Sequence, residues 1–207
     1  PTAEEAFLWS YAWLMANYDP ATGLVQDRSN FKAGTMENVS ASGKAAKIVA
    51  YAIAKGITDP VIGQAIITNI AQTLLTKVPR GPSGINTLWP HFTLNGGTSI
   101  LPNTEWASGD TAYAALDAIA ALQMIGDPNH QRAGLEDFLR AINWQALRDL
   151  TGDQTISHGY HTDGTPLTAG WDAFGMETVG VNWAYGAATG QVTPMPPPPS
   201  FNGSGFI

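Results

Sequence analysis

The chain has 207 residues, of which 44% are hydrophobic and only 13% are charged, and its formal net charge at pH 7 is −7. This length is enough to bury a sizeable core, and the acidic balance argues against a nucleic-acid partner, because that kind of binding rests on clustered Lys and Arg. The absence of cysteine excludes disulfides and cysteine-ligated zinc, and no apolar run is long enough to predict a membrane-spanning helix.

Hydrophobic periodicity predicts six helices in chain order. The first covers residues 2–18 and begins with a capping box formed by Thr2 and Glu5. The others are expected at about residues 38–55, 60–74, 108–125, 128–150 and 172–189. Gly56, Gly126 and Gly190 end the second, fourth and sixth helices, and the recurrence of this stop signal indicates repeated helical hairpins.

Short and long connections alternate between these helices. Residues 19–37, 79–107 and 151–171 are rich in Gly, Pro and Asn, and we expect long loops there. Because neighbouring helices in hairpins run antiparallel, all three loops should lie at one end of the domain, beside the N-termini of the second, fourth and sixth helices. Function is expected at that end. The small residues of those three helices favour an inner layer, with the first, third and fifth helices outside.

The pattern predicts an all-α fold, an α/α toroid of helical hairpins. Six helices are about half of what a full ring needs, so we expect a half ring that a missing segment or a partner chain completes. The predicted domain covers residues 1–193. Residues 194–207 read as a Pro-rich linker or a truncated end.

Two candidate catalytic carboxyl groups lie at the start of the fourth helix, Glu105 in the preceding loop and Asp110 in the first turn. Glycoside cleavage needs one carboxyl group as an acid and a second as a base or nucleophile. Glu105 is the expected acid, because apolar contact with Trp106 would raise its pKa. Asp110 lies in the first helical turn, where the helix dipole favours the ionised form. The alternative for Asp110 is a purely structural capping role.

Other side chains of the loops suit carbohydrate binding, since aromatic rings pack on sugar faces and polar groups bond the hydroxyls. The candidates are Asp27, Arg28, Trp89, His91, Trp106, Trp171 and Glu177. Asp27 and Arg28 could instead form an internal ion pair, and Glu177 could bind Arg28. His91, His158 and His161 could be metal ligands, and His158 and His161 with Asp163 have a metal-like spacing. Their Gly-rich loop has no helical or cysteine framework, so no metal or cofactor is predicted. Four tryptophans inside helices are expected in the core: Trp9, Trp13, Trp144 and Trp183.

The chain carries, in order, YDPATGLVQDR, SASGKAAKIVAYAIAKGIT, LWPHF, TEWASGDTAYAALDAIAAL and GWDAFGMETVGVNWAYGAATG. Over most of residues 11–190 these stretches resemble landmarks of the bacterial glucoamylase-like domain family, which includes endo-β-1,2-glucanases. The resemblance implies an exported, periplasmic or secreted α/α toroid that acts on glucans in an acidic cleft. It implies that Asp27, Arg28, Glu105, Asp110 and Glu177 face this cleft, and that the C-terminal half of the toroid lies outside this chain.

The leading interpretation is a glycoside hydrolase, or the N-terminal half of one, acting on a β-glucan or a related polysaccharide. Its expected partners are an oligo- or polysaccharide and the complementary half of the toroid, with neither nucleic acid nor membrane. One alternative is a carbohydrate-binding or scaffold module that has the fold without the chemistry. Another is a polysaccharide lyase in which His91 or a tyrosine acts as the base.

Overall fold

The computed structural model describes residues 2–28, 35–153, 155–172 and 176–191, and the predicted linker at 194–207 lies outside them. Seven helices form in this described part: α1 (Ala3–Asn17), α2 (Val39–Ala54), α3 (Pro60–Thr76), α4 (Ser108–Ile125), α5 (Gln131–Ala141), α6 (Trp144–Asp149) and α7 (Met176–Thr189). Five of the six predicted helices are thereby confirmed to within a few residues. Over the same ranges, every helix is too short or too polar to cross a bilayer.

Eight short antiparallel strands accompany the helices, so the prediction of a purely helical fold is wrong. They are β1 (Tyr18–Asp19), β2 (Leu24–Gln26), β3 (Glu37–Asn38), β4 (Phe92–Leu94), β5 (Ser99–Ile100), β6 (Glu105–Ala107), β7 (Ser157–His161) and β8 (Pro166–Gly170). Strands β1 to β5 form one sheet in chain order, and β6 to β8 form a second. All lie in or at the edges of the predicted loops. Strands of two to five residues are too short to show a hydrophobic period.

The fifth predicted helix is two helices, α5 and α6, and it begins later than expected. The Asp127 side chain accepts hydrogen bonds from the backbone N–H groups of Gln131 and Arg132, which delays the helix start past Pro128. Ile142 is extended and interrupts the helix, and the Asn143 side chain then caps α6. Local side-chain competition for backbone groups therefore overrides the apolar periodicity of this segment.

The helices form two layers, as the distribution of small residues predicted. Helix α2 packs along α4, and α4 packs on α7, while α1, α3 and α5 lie against this inner series. The α2–α4 contact is close because Gly43 faces the backbone of Ala114. The N-termini of α2 and α4 are thus held side by side, each directly preceded by a strand.

The core prediction for the helical tryptophans is confirmed for one and wrong for three. Trp144 is buried, but Trp9, Trp13 and Trp183 are 64%, 43% and 70% exposed. Helices α1 and α7 stand at the two ends of the packed series, so part of the surface of each meets no other described helix. The sequence could not show this, because an aromatic residue at an end of the series has the same local pattern as one in the core.

Candidate functional site

Two neighbouring cavities open at the end of the domain where the inner helices begin. The first, of about 330 Å³, is called here the His91 cavity, and the second, of about 250 Å³, the Lys44 cavity. The His91 cavity is lined by His91, Asn103, Thr104, Glu105, Ala107, Asp110, His158, His161, Leu167, Trp171 and Glu177. The Lys44 cavity is lined by Ser40, Lys44, Gly109, Asp110, Tyr113, Trp171 and Glu177. Asp110, Trp171 and Glu177 therefore form the wall that the cavities share.

Strand β6 and helix α4 together place the two candidate catalytic carboxyl groups. Glu105 is the first residue of β6, and the strand runs directly into the helix, whose first turn carries Asp110. The backbone N–H of His91 donates to the Glu105 carbonyl (3.0 Å), which brings the segment before β4 beside β6. The five-residue spacing of Glu105 and Asp110 thus spans a strand-to-helix junction that turns both side chains toward one cavity.

His91 lies between these two carboxyl groups. Its Nδ1 atom is 2.9 Å from Oε1 of Glu105, within hydrogen-bond distance, and its Nε2 atom is 3.7 Å from Oδ1 of Asp110. The hydroxyl of Thr104 lies 3.5 Å from the other oxygen of Glu105. The Asp110 side chain is 17% exposed and that of Glu105 is 36% exposed. One imidazole therefore contacts two carboxyl groups in unequal environments.

The two carboxyl groups have pKa shifts opposite to those that the sequence predicted. The hydrogen bond from His91 lowers the pKa of Glu105 despite its partial burial. Burial raises the pKa of Asp110, and the charge of His91 only partly offsets this. Trp106 does not desolvate Glu105 as expected, because neighbouring strand residues point to opposite faces, and the Trp106 ring packs against Gly81 instead.

His91 itself is stabilised in its charged form. Burial alone would lower its pKa, but the hydrogen bond to Glu105 and the charges of Asp110, Glu105 and Asp27 together raise it. The site therefore combines a carboxylate and an imidazole whose charged forms are both stabilised with a carboxyl group that retains its proton to higher pH than usual. Such an arrangement can give a proton to a leaving group while a second carboxylate stays available.

Trp171 forms the aromatic part of the shared wall. Its Nε1 atom donates to the hydroxyl of Ser108 (2.9 Å), and that hydroxyl donates to the Ser157 carbonyl (2.6 Å). The His158 ring lies against the Trp171 ring, with the ring centroids 4.1 Å apart. The benzo edge of the indole packs on Gly109, where a Cβ atom would lie 2.6 Å from Trp171 Cζ2. Gly109 is therefore the residue that gives the ring its place.

Gly109→Ala is expected to displace the Trp171 ring and to break its hydrogen bond to Ser108. Overpacking of this kind costs about 1–3 kcal/mol, which outweighs the gain of about 0.5–1 kcal/mol from removing a glycine inside a helix. The displacement should appear as a shift in tryptophan fluorescence emission. In a Trp171→Phe background the same substitution should leave the emission unchanged. An equal shift in both backgrounds would show that another tryptophan moves.

The structure brings some predicted binding residues to the cavities and places others elsewhere. His91, Trp171 and Glu177 line the His91 cavity. Trp89 is fully buried and Trp106 is 6% exposed, so neither ring is available to a sugar.

Asp27 and Arg28 form the ion pair that was the alternative prediction, with Arg28 Nε 3.1 Å from Asp27 Oδ2. Neither residue is among those that line the two cavities. The Asp27 carboxylate also accepts a hydrogen bond from Asn38 (3.1 Å), which ties the end of β2 to the start of α2. Asp27 still acts on the site through its charge, which contributes to the raised pKa of His91.

Sequence reasoning missed three residues of α2 and α4 that line the Lys44 cavity, namely Ser40, Lys44 and Tyr113. The signal was available for all three. Ser40 and Lys44 are one helical turn apart at the predicted functional end of α2, and Tyr113 follows Asp110 by three residues on the same helix, so each pair shares a helix face.

The His158, His161 and Asp163 pattern does not converge in the structure. Among the described residues, the His, Asp and Glu side chains that come closest together are His91, Glu105 and Asp110, with one potential donor atom from each lying within 4.8 Å of the others. Two of these three side chains are also joined by the hydrogen bond between His91 Nδ1 and Glu105 Oε1. The prediction of a site without a metal stays a prediction.

Comparison with known proteins gives matches at the level of structure. No protein-family model and no curated protein matches the chain. A candidate glucoamylase from Bacteroides caccae superposes with a TM-score of 0.65 at 15% identity, over 90% of this chain and 48% of that one. A candidate glucoamylase from Bacteroides uniformis gives 0.58 at 17%, over 83% and 42%. An endo-β-1,2-glucanase from Chitinophaga pinensis, solved with sophorotriose and glucose, gives 0.57 at 15%, over 77% and 41%.

The chain spans less than half the length of each of these solved proteins. At these identities the likeness is one of fold. The predicted resemblance to the glucoamylase-like proteins is therefore confirmed, and the described part of the chain shares its fold with these solved proteins.

Proposed function

We propose that the chain is part of a glycoside hydrolase that cleaves a polysaccharide, specifically a β-glucan, by carboxylate acid/base catalysis. The observation that carries this proposal is the arrangement of Glu105, His91 and Asp110 on one cavity wall. In this arrangement the pKa of Glu105 is lowered and the pKa of Asp110 is raised. The similarity in fold to an endo-β-1,2-glucanase supports the choice of glucan. A polymeric substrate cannot cross a membrane intact, so we place the protein in the periplasm or outside the cell.

In the proposed reaction, Asp110 replaces Glu105 as the general acid. Asp110 gives its proton to the glycosidic oxygen as the bond from that oxygen to the anomeric carbon breaks, and Glu105 remains ionised to stabilise the positive charge that develops on the sugar. Water supplies the hydroxyl group of the new reducing end, and the remaining proton of the water returns to Asp110. One water is consumed for each bond cleaved, and both carboxyl groups return to their initial protonation states.

The separation of the carboxyl groups defines two stereochemical routes. One oxygen of Glu105 and one of Asp110 lie within 4.8 Å of each other, closer than the spacing of about 6.5–9.5 Å at which an inverting pair holds its water. Glu105 at this distance fits a nucleophile in a retaining reaction. Inversion would need a more distant base, and Glu177, which lines both cavities, is the candidate. NMR of the first anomer released separates the two routes.

We further propose that a second helical half completes the ring around the cavities. Two observations support it: the solved neighbours are about twice as long as the chain, and tryptophans are exposed at both ends of the helix series, Trp9 and Trp13 on α1 and Trp183 on α7. Large aromatic side chains at an open edge are suited to packing against another helix. The complementary half is either a further segment or a separate chain.

Trp183→Ser is therefore expected to destabilise the complete protein by about 3 kcal/mol, the typical cost of truncating a buried tryptophan. Ile62→Ser is the matched control. Ile62 is 60% exposed on the outer helix α3, which packs on α2, α4 and α5. Its replacement should change the free energy of unfolding by less than about 0.5 kcal/mol. Denaturant unfolding measures both. Equal small effects would mean that the edge formed by α7 stays uncovered.

The direct test of the proposed function is the release of reducing sugar from soluble glucans of different linkage by the complete protein. Hydrolysis of at least one β-glucan is expected. A sugar-dependent change in Trp171 fluorescence without any product would instead identify a carbohydrate-binding module. A product with the absorbance of an unsaturated sugar would identify a polysaccharide lyase.

A further inference from the structure

We propose that His91 is a positioning residue which bridges Glu105 and Asp110 and binds the carboxylate of Glu105 more tightly than that of Asp110. This inference rests on the hydrolase function proposed above. It reassigns His91 from contact with the sugar to control of the two groups that act on the sugar.

The backbone of His91 is held on both sides. Its N–H donates to the carbonyl of Glu105 (3.0 Å), and its carbonyl accepts from the N–H of Val39 (3.1 Å), the first residue of α2. The imidazole is stacked on the Phe92 ring, with centroids 3.7 Å apart and planes at 19°. The ring is thus fixed between strand β6 and the N-terminus of α2, and its two nitrogen atoms point at two different carboxyl groups.

The bridge is asymmetric. A charge-assisted hydrogen bond of 2.9 Å joins Nδ1 to Glu105, and a bond of this kind favours the ionised carboxylate. The distance from Nε2 to Asp110 is 3.7 Å, beyond a hydrogen bond, and Asp110 is the less exposed of the two carboxyl groups. The cation therefore stabilises one anion strongly and the other weakly, while burial favours the protonated form of Asp110.

Other charged groups surround the bridge and must be held constant in a test. The Asp27 carboxylate, at the end of β2, acts on His91 through its charge. Glu177 of α7 and the two histidines of β7, His158 and His161, line the same cavity. Lys44 of α2 lines the adjacent cavity. A substitution at His91 leaves these five groups in place, so the change in each carboxyl titration reports the contribution of the imidazole.

Carbon-13 NMR titration of the Glu105 and Asp110 carboxyl groups, in the complete protein without substrate, tests the proposal. In His91→Gln both groups lose a nearby cation, so both titrations should move to higher pH, that of Glu105 by about one unit and that of Asp110 by less. His91→Asn retains an amide donor near the position of Nδ1. It should move the Glu105 titration less than His91→Gln does, while still moving that of Asp110.

A pH profile of activity adds a second measurement. Glu105 must be ionised, so activity falls as pH drops through its pKa. Asp110 must be protonated, so activity falls as pH rises through its pKa. Both limbs should move to higher pH in His91→Gln, whereas a merely structural defect would lower activity without moving either limb.

Three results would overturn the proposal. The first is a pair of carboxyl titrations that His91→Gln leaves unchanged. The second is a shift of the wild-type titrations on addition of EDTA, which would show that a divalent cation joins the groups. The third is a pH profile whose limbs do not move in an active variant. The NMR titration needs no turnover. If the His91 variants shift the carboxyl titrations as expected but the protein hydrolyses no glucan, only the hydrolase function is contradicted.

Discussion

Asp110→Asn is expected to lower kcat on the preferred glucan by about 10²–10⁴-fold, the usual contribution of a general acid. The amide has nearly the size of the carboxyl group, so the cavity wall that residue 110 shares with Trp171 keeps its shape. The substitution removes only the acidic proton. KM should change little, because the lost interaction is one that forms only in the transition state. Steady-state kinetics on the complete protein measure both quantities.

The choice of substrate sharpens this prediction. A glycoside with an acidic phenol as leaving group needs little protonation, so Asp110→Asn should retain far more activity on it than on the natural glucan. Glu105→Gln should impair both substrates, because Glu105 acts on the sugar side of the bond. This difference between the two variants distinguishes the assignment made from the structure from the reverse assignment that the sequence favoured.

Asp137→Asn is the matched control for the Asp110 variant. Asp137 lies on the outer helix α5, where its side chain is 77% exposed and pairs with Arg140. Exposed ion pairs contribute about 0–1 kcal/mol to stability, so this variant should keep the wild-type kcat. A loss of activity no larger in Asp110→Asn than in Asp137→Asn would remove Asp110 from the mechanism.

Much of the architecture could be predicted from the sequence, because it depends on local signals. Glycines at helix ends and Pro60 behind the capping residue Asp59 mark the helix boundaries that the structure shows. The alternation of short and long connections predicted function at the end where the inner helices begin, and both cavities open at that end. It also correctly grouped Glu105, Asp110 and Glu177, which all line one cavity.

The rest depended on contacts between distant parts of the chain. A strand forms only when it pairs with another strand. Strand β6, for example, pairs with β7, which places Glu105 opposite His161, 56 residues further on in the sequence. The pKa assignment failed for the same reason. The direction of the pKa shift of Glu105 is decided by His91. His91 lies 14 residues away in sequence and reaches the carboxylate only once β6 has formed. A neighbour in sequence such as Trp106 gave the wrong environment, because strand geometry turned it to the other face.

The close packing of α2 and α4 leads to the second large effect, which concerns stability. A Cβ atom at Gly43 would lie 2.4 Å from both the Cα and the carbonyl oxygen of Ala114. These are backbone atoms in the middle of the buried helix α4, so no side-chain rotation can relieve the contact. The two helices would have to separate along their length.

Gly43→Ala should therefore destabilise the protein by about 3 kcal/mol, at the upper end of the usual cost of overpacking. For a protein of this size the melting temperature should fall by roughly 6–12 °C. Gly134→Ala in α5 is the matched control, because its new Cβ would meet only the flexible end of Leu75, at 3.3 Å. That variant should gain about 0.5–1 kcal/mol from the better helix propensity of alanine.

The changes in the free energy of unfolding expected for Gly43→Ala and Gly134→Ala have opposite signs, which makes the comparison decisive. Alanine is intrinsically the better helix former at both positions, so a loss of stability at Gly43 must come from tertiary contact. The same substitution bears on the site, since Ser40 and Lys44 at the start of α2 line the Lys44 cavity together with Asp110 at the start of α4. Separating the helices should widen that cavity and weaken sugar binding as well. Stabilisation in both variants, measured by thermal unfolding, would mean that α2 and α4 do not pack this closely and that the shared wall of the two cavities is not built as described.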